Sequence, residues 1–204
     1  MLPLDEVTEL VNRSQHGDRL AFEQLVLMYQ TRVYSLSYQL AGNHADAQDL
    51  AQEVFIRAYH GLKSFRREAD FGTWLHRIAV NIWLNVKRRR DRATVVSLDE
   101  PVQTNEGEVA REVAASAGDP LEALEEKEFR GLVGKALNEL TAEHKAVLVL
   151  REIEGCSYDE IAGIMDCSVG TVRSRLNRAR ETLKKKVAAL AAENGINLPG
   201  TSHK

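Results

Sequence analysis

Between Thr94 and Asp119 the chain loses its apolar periodicity, while Glu, Gly, Ser and Ala accumulate. A stretch of that composition cannot bury enough apolar surface to offset the entropy of ordering it, and it reads as an acidic flexible linker. It divides the 204 residues into two parts, 1–93 and 120–204, each large enough for one small core. That makes two small domains the expectation, not one medium one. A wholly disordered chain is excluded, because 44% of the residues are hydrophobic.

Charge follows the same division. Residues 95–130 carry a balance of −7, whereas 1–94 and 131–204 are each +2. Within the flanks the positive charge is bunched, +4 over Lys87 to Arg92 and +6 over Ser168 to Lys186. The overall charge of −3 is therefore compatible with a nucleic-acid partner, and the distribution favours one. No apolar run reaches the roughly 20 residues of a membrane helix. The N-terminus lacks the basic region and apolar core of a secretory leader. With only Cys156 and Cys167, a disulfide scaffold is excluded and a cytoplasmic location is expected.

Both flanks read as all-α. Ala21, Phe22, Leu25, Val26, Tyr29, Val33, Leu36 and Leu40 recur at three- and four-residue steps up to Gly42, a natural helix stop. A second helix follows Asn43 and ends near Gly61. A third begins around Thr73, carries Trp74, Leu75, Ile78, Ala79, Ile82, Trp83 and Val86, and runs into the basic cluster. After the linker, helical pattern resumes at Pro120, with Asp119 placed to cap it.

The sharpest local signal is Ser157 to Lys186. Ser157 and Glu160 have the spacing of a capping box, and Ile161, Ala162, Ile164 and Met165 make a short apolar helix. Asp166 and Cys167 form a tight turn, and Ser168 caps the next helix. This is a helix-turn-helix layout, whose second helix enters the DNA major groove. At 100° per residue, Val172, Leu176, Ala179, Leu183, Val187 and Leu190 fall on one arc, and Arg173, Ser174, Asn177 and Arg178 on the adjoining one. Arginine can pair with a guanine edge and asparagine with an adenine edge. Arg175, Arg180 and Lys184 to Lys186 suit phosphates. The bland alternative is a solvated basic face on an ordinary amphipathic helix. Two caps, a turn and angular segregation together favour DNA.

The N-terminal part adds what an ordinary repressor would not need. The helix from Asp46 to Tyr59 sets Asp46, Asp49, Gln52, Glu53 and Arg57 around an apolar seam of Leu50, Val54, Phe55 and Ala58. Such a polar face meets either water or a partner. Next, Phe65, Phe71, Trp74 and Trp83 are interleaved with Arg66, Arg67, Arg77 and the Lys87–Arg90 run, the pattern of a single-strand binder. The tryptophans, at helical spacing, equally suit a core; Phe65, beside two arginines in a loop, suits it less. One unit that reads unpaired DNA joined to one that reads duplex DNA describes promoter opening.

With these residues in view, the chain resembles the extracytoplasmic-function sigma factors of bacterial RNA polymerase, in the sigma-E-like branch, over nearly its whole length. The resemblance is carried by Gly17-Asp18, Ala21-Phe22, the Asp46–Tyr59 block, Ser64-Phe65-Arg66 and the Phe71–Asn81 block. It continues through Leu150–Gly155, Ser157-Tyr158, Glu160-Ile161-Ala162 and Val169–Arg180, in family order. It implies that 1–93 is region 2 and 120–204 is region 4. It implies that Asp46, Asp49, Leu50, Gln52, Glu53, Phe55 and Arg57 bind core polymerase. Phe65, Arg66, Phe71, Trp74, Arg77, Asn81, Lys87 and Arg88 would melt and hold the minus-ten element, duplex and then open. Ser168, Thr171, Arg173, Ser174, Arg175, Asn177 and Arg178 would read the minus-thirty-five element. The implied partners are the largest and second-largest polymerase subunits, promoter DNA and a cognate anti-sigma factor that can hold the protein at the inner membrane without its entering the bilayer. A stress regulon, envelope stress among them, is implied as well.

Taken as a relaxed coil, the 36 residues 95–130 span roughly 33 Å, and stretched they reach about 120 Å. Promoter elements about 17 base pairs apart are separated by roughly 58 Å. The free protein is therefore expected to be compact and to bind promoter DNA poorly. Three other readings compete with this one. A helix-turn-helix regulator that does not replace sigma leaves the Asp46–Tyr59 and Phe65–Asn81 blocks unexplained. An adaptor or anti-sigma protein would not need both DNA-reading faces. An enzyme would need a phosphate loop, metal-binding helix or nucleophile elbow, and none is present. The six histidines and two cysteines lack metal-ligand spacing, so no catalytic residue, metal or cofactor is expected, and the thiols read as core.

Overall fold

A computed structural model of the chain describes residues 4–67, 69–96 and 120–196. Among them the fold is helical, with α1 (Leu4–Gln15), α2 (Arg19–Ala41), α3 (His44–Gly61) and α4 (Phe71–Val96) forming the first unit. The second comprises α5 (Pro120–Asn138), α6 (Ala142–Leu148), α7 (Tyr158–Met165) and α8 (Val169–Glu193). The cap of α5 expected at Asp119 lies outside the described residues, as does 97–119 of the linker. Because α4 continues to Val96 and α5 starts at Pro120, the acidic stretch is not one coil from 95 to 130. The 23 residues 97–119 reach at most roughly 80 Å when extended, still more than the promoter spacing requires.

Local chemistry sets the helix ends. Asp18 accepts the Ala21 amide and Asn43 accepts that of Asp46, each satisfying one of the amides a helix start leaves unpaired. Gly42 closes α2 at φ 85°, where a side chain would be strained, and its amide donates to the Tyr38 carbonyl at 2.8 Å. In the second unit Thr141, Ser157 and Ser168 cap α6, α7 and α8. The Ser157–Glu160 box is closed in both directions, and Asp166 takes the left-handed conformation that turns α7 into α8. Helix α6 loosens into a single π turn, Val149–Ile153, before Gly155 at φ 71°.

Helices α2 and α3 pair as an antiparallel hairpin, registered by the Phe22–Tyr59 ring contact at 5.1 Å near one end and the 2.7 Å Tyr34–His44 bond near the other. Helices α1 and α4 cover its inner side around Leu25, Leu36, Leu40, Val54 and Leu75. In the second unit α8 packs on α5, α6 and α7, over Leu150, Ile161, Ile164, Val172 and Leu176. The two units also touch: α4 packs on α7 and α6, and α2 on the π turn.

Leu176 is 1% exposed at the centre of the second core. Leu176→Ala should cost roughly 2–5 kcal/mol in denaturant unfolding, through lost transfer energy plus a cavity. Removing the exposed Arg180–Glu152 pair by Arg180→Ala should leave the midpoint within error, because solvent-exposed ion pairs contribute little.

Candidate nucleic-acid interface

Three surfaces carry the residues singled out in the sequence. On α3, Asp49 and Gln52 are exposed, and Glu53 accepts from Arg57 at 2.6 Å one helical turn later. Asp46 is engaged differently. Both its oxygens accept from Arg90 of α4 at 3.1 Å, and that guanidinium, with Asn43, holds its carboxyl below the usual range despite partial burial. Asp46 thus ties α3 to α4. Leu50 is 7% exposed and lies in the core, and Phe55 is partly buried against it. These two support the helix from beneath, since their side of α3 faces the bundle.

The sequence reading missed four apolar side chains beside that polar face. Leu20 and Leu27 on α2 are 67% and 65% exposed, and Ile56 and Tyr59 on α3 are 46% and 44% exposed. By the hairpin register and helical angle they lie on its outer side with Asp49 and Gln52. The signal was available, because Leu20 and Leu27 fall about 180° from the buried Leu25 and Leu36, outside the core stripe of α2.

The second surface is the start of α4 with the loop before it. Phe65, Phe71 and Trp74 form a ring cluster, with centroids at 4.8 Å for Phe65–Trp74, 5.9 Å for Phe65–Phe71 and 5.6 Å for Phe71–Trp74. Phe65 is 9% and Phe71 3% exposed, so both are core and not free base platforms; Trp74 is half-buried. The burial of Phe65 differs from the expectation, and α1 is the cause. Gln15 donates to the carbonyls of Leu62 at 2.9 Å and Phe65 at 3.0 Å, and Arg67, at φ 60°, donates to Asn12. The loop is pulled onto the bundle, turning Phe65 inward and leaving Arg66 outside. Asp70 caps α4 through Thr73. Burial alone would raise its pKa, but the Thr73 hydroxyl and amide, the Gly72 amide and Arg32 together lower it. Arg77 and Asn81 are exposed further along, with Lys87 half-buried. Arg88, exposed too, lies 3.7 Å from Glu143 of the second unit.

The third surface is the N-terminal half of α8. Arg173, Ser174, Asn177 and Arg178 are exposed on the arc opposite buried Val172, Leu176 and Ala179. The Arg173 guanidinium lies 5.9 Å from the Tyr158 ring, which restrains it beside the turn. The Ser168 hydroxyl accepts the Thr171 amide at 3.1 Å, so both residues hold the helix start in place. Ser174 donates to the Thr171 carbonyl, and Arg175 is half-buried.

Between the two units lies a polar seam that the sequence reading did not foresee. His76, 1% exposed, has Nδ1 at 3.8 Å from the Cys156 sulfur and Nε2 at 3.5 Å from Glu154, whose carboxylate is also 3.5 Å from Arg32. Burial, with Arg32 nearby, depresses His76 to about 4, and burial pushes the Cys156 thiol up to about 11. Burial likewise raises Glu154 against the pull of Arg32. Lys145, 4% exposed, donates to Asn138 at 2.6 Å over the Trp83 ring, and burial lowers it to about 8. Among the described residues no group of three or more His, Cys, Asp or Glu could hold a metal ion, and no helix is long and apolar enough to cross a membrane.

Comparison with known proteins agrees with the two-unit helical fold. Residues 25–93 match the family described as Sigma-70 region 2, and 130–183 match Sigma-70, region 4. The RNA polymerase sigma-H factor of Pseudomonas aeruginosa is 40% identical over 195 residues, covering 95% of this chain and 100% of that protein. The ECF RNA polymerase sigma-E factor of Escherichia coli is 41% identical over 184 residues, covering 89% and 94%. A solved structure of the sigma factor RpoE with the anti-sigma factor NepR, from Bartonella quintana, aligns at a TM-score of 0.62 and 27% identity over 82% of this chain and 96% of that one. CnrH, in complex with the cytosolic domain of CnrY, shares the fold at a TM-score of 0.62 and 24% identity, over 92% and 99% of the two chains.

The helical fold and the two family matches define a two-unit promoter-recognition factor. The chain belongs to the sigma-70 family of RNA polymerase sigma factors, in its extracytoplasmic-function group. It is an alternative sigma factor, which binds core RNA polymerase and promoter DNA and directs promoter-specific initiation.

The seam predicts a pH dependence. His76 binds a proton less readily folded than unfolded, so as pH falls from about 6.5 towards about 4 the unfolded state takes up the proton first and stability drops. Glu154, with its raised pKa, opposes that trend. His76→Phe should remove the histidine contribution, so denaturant midpoints at pH 7 and pH 5 should lie closer together than in the wild type.

Proposed function

We propose that the outer face of the α2/α3 hairpin docks on the polymerase largest subunit through Asp49, Gln52, Glu53 and Arg57, together with the exposed apolar side chains of Leu20, Leu27, Ile56 and Tyr59. A polar rim around an apolar centre is the usual make-up of a protein–protein interface. In this reading Asp46, Leu50 and Phe55 act through the shape of α3, one by its bond to Arg90 and two from the core. The mixed polar and apolar patch fits a helical partner surface better than it fits water.

Trp74, Arg66, Arg77 and Asn81, with Lys87 and Arg88 beyond them, take the minus-ten element, while Phe65 and Phe71 brace Trp74 from below. Holding an unstacked base on an aromatic side chain offsets the few kcal/mol that unstacking costs. Arg173, Ser174, Asn177 and Arg178 read base edges of the minus-thirty-five element, Arg175 holds a phosphate, and Ser168 and Thr171 fix the helix start. The observation that carries the reading is the exposed polar arc of α8 behind a capped, tightly turned helix-turn-helix, in the same chain as the α3 and α4 surfaces. The protein acts in the cytoplasm, under a cognate anti-sigma factor and for a stress regulon. It supplies no catalytic group, and the chemistry of RNA synthesis stays with the polymerase.

Run-off transcription with bacterial core polymerase on a promoter library tests this. Glu53→Lys should reverse a charge at the docking face and abolish transcripts together with co-elution on core polymerase. Arg173→Ala with Arg178→Ala should keep co-elution but cut promoter-specific transcription by about 30-fold or more, since two base-edge pairs at about 1–3 kcal/mol each sum to about 2–6 kcal/mol of discrimination. Unchanged transcription from either variant would refute the assigned face.

A further inference from the structure

Helix α1 precedes the segment matched to region 2, which begins at residue 25, and it carries none of the residues assigned above to a partner. Its last turn nevertheless reaches the loop in front of α4. The Gln15 side-chain amide donates to two carbonyls there, Leu62 at 2.9 Å and Phe65 at 3.0 Å, so both of its N–H bonds are spent on one stretch of backbone. The same Leu62 carbonyl accepts the Phe65 amide at 3.0 Å, closing the turn Leu62–Ser64, and the Ser64 hydroxyl donates to the Gly61 carbonyl at 2.7 Å. Past that turn, Arg67 stands at φ 60°, in the left-handed region that a residue with a side chain rarely occupies. Its guanidinium donates to the side-chain oxygens of Asn12 and, at 3.4 Å, of Gln15. A backbone position of that kind persists only where its surroundings hold it, and here the holders are two side chains of α1.

Helix α1 is itself firmly placed. Val7, Leu10 and Val11 are buried in the first core, and Arg13 donates twice to Asp18, the cap of α2, at 2.8 and 3.0 Å. Between the anchored residues Phe65 and Arg67 sits Arg66. The anchors turn Phe65 inward, where its ring lies 4.8 Å from that of Trp74, and they leave Arg66 exposed. A long side chain meets one base reproducibly only when its stem starts from a fixed place and direction. The charge of Arg66 draws in any strand backbone wherever it points, whereas a base edge is recognised only from a set position.

We propose that Asn12 and Gln15 are positioning residues for promoter reading: they hold the backbone from Leu62 to Arg67 so that Arg66 meets one base of the melted minus-ten strand beside Trp74, and preference for that base depends on them. This rests on the assignment of Arg66 and Trp74 to the minus-ten strand. It gives α1 a part in promoter selection, exerted through the loop.

The test uses the full-length chain with core polymerase and two promoter libraries, one randomised over the minus-ten element and the other over the minus-thirty-five element. The variants are Gln15→Leu, which keeps the size but has no donor, Asn12→Ala, Arg66→Ala, and Gln15→Leu combined with Arg66→Ala. Run-off yields are read as ratios between templates of one library. A variant that merely folds less well lowers every template alike and leaves those ratios unchanged. Arg66→Ala should flatten the preference at one minus-ten position by about tenfold, the scale of a single base contact. Gln15→Leu should flatten that same position, and Asn12→Ala should do so more weakly. The double variant should match Arg66→Ala, because residues acting through one contact are not additive. Ratios in the minus-thirty-five library and co-elution with core polymerase should stay at wild type. Wild-type ratios in Gln15→Leu, flattening at a different position, or an additive double variant would each overturn the proposal. Should Gln15→Leu fail to fold by circular dichroism, the exposed Asn12 decides, and wild-type ratios in Asn12→Ala overturn it. If Arg66→Ala leaves every minus-ten ratio at wild type, the minus-ten assignment falls and the positioning role with it. If Arg66→Ala flattens one position and Gln15→Leu none, only the positioning role falls.

Discussion

Helix α4 is the constraint on which both units depend. Counted at 100° per residue, its buried side chains sweep roughly 220°, from Phe71 and Ile82 round through Leu75, Ala79, Trp83, His76 and Val80 to Leu84. A helix on the edge of one bundle needs only about half that arc. One side of α4 closes the first core over Leu25 and Val54, and the other meets α6 and α7. Such a doubly packed helix cannot shift without disturbing both neighbours, so the Trp74 surface has a fixed geometry as long as the units remain together.

The charges divide between holding the fold and facing outward. Asp46 is spent on Arg90, Glu152 on Arg180 and Glu139 on Lys186, so part of the basic character read from the sequence is already paired with acids of the same chain. Facing solvent outside those pairs are the arc of α8 from Arg173 to Arg178, and Arg66 with Arg77 at the start of α4. The exposed pairs contribute little stability each, but they orient α3 against α4 and α8 against the π turn. The seam is different in kind. A neutral histidine, a thiol with raised pKa and a partly buried carboxylate are tolerated together because Arg32 sets a cation beside them, 3.5 Å from Glu154. Removing or reversing that cation is for this reason expected to act on the contact between units more than on either unit alone.

Much of the architecture was legible locally. The stop at Gly42, the start at Asn43, the Ser157–Glu160 box, the turn at Asp166 and the cap at Ser168 each need only residues within about four positions, and all appear as read. The apolar arc of α8 likewise follows from a period of 3.6 residues. The failures came where the deciding neighbour is far along the chain. Phe65 looked like a loop aromatic beside arginines, but Gln15, fifty residues earlier, pulls its backbone onto the core. Leu50 and Phe55 looked like part of a docking face and lie beneath it. Leu20 and Leu27 went unused because the eye follows the buried stripe of α2 and passes over apolar residues off it.

The sequence by itself determined the helices, their caps, the helix-turn-helix and the division into two units, because backbone hydrogen bonding and side-chain periodicity are short-range. It also carried the residue blocks that mark the family. Only the tertiary structure decided which side of each helix is covered, that Asp46 answers to Arg90, that His76 is sealed against Glu154 and Cys156, and that Gln15 holds the loop before α4. Those outcomes depend on how two surfaces formed by distant segments fit and exclude water, and no local pattern contains that information.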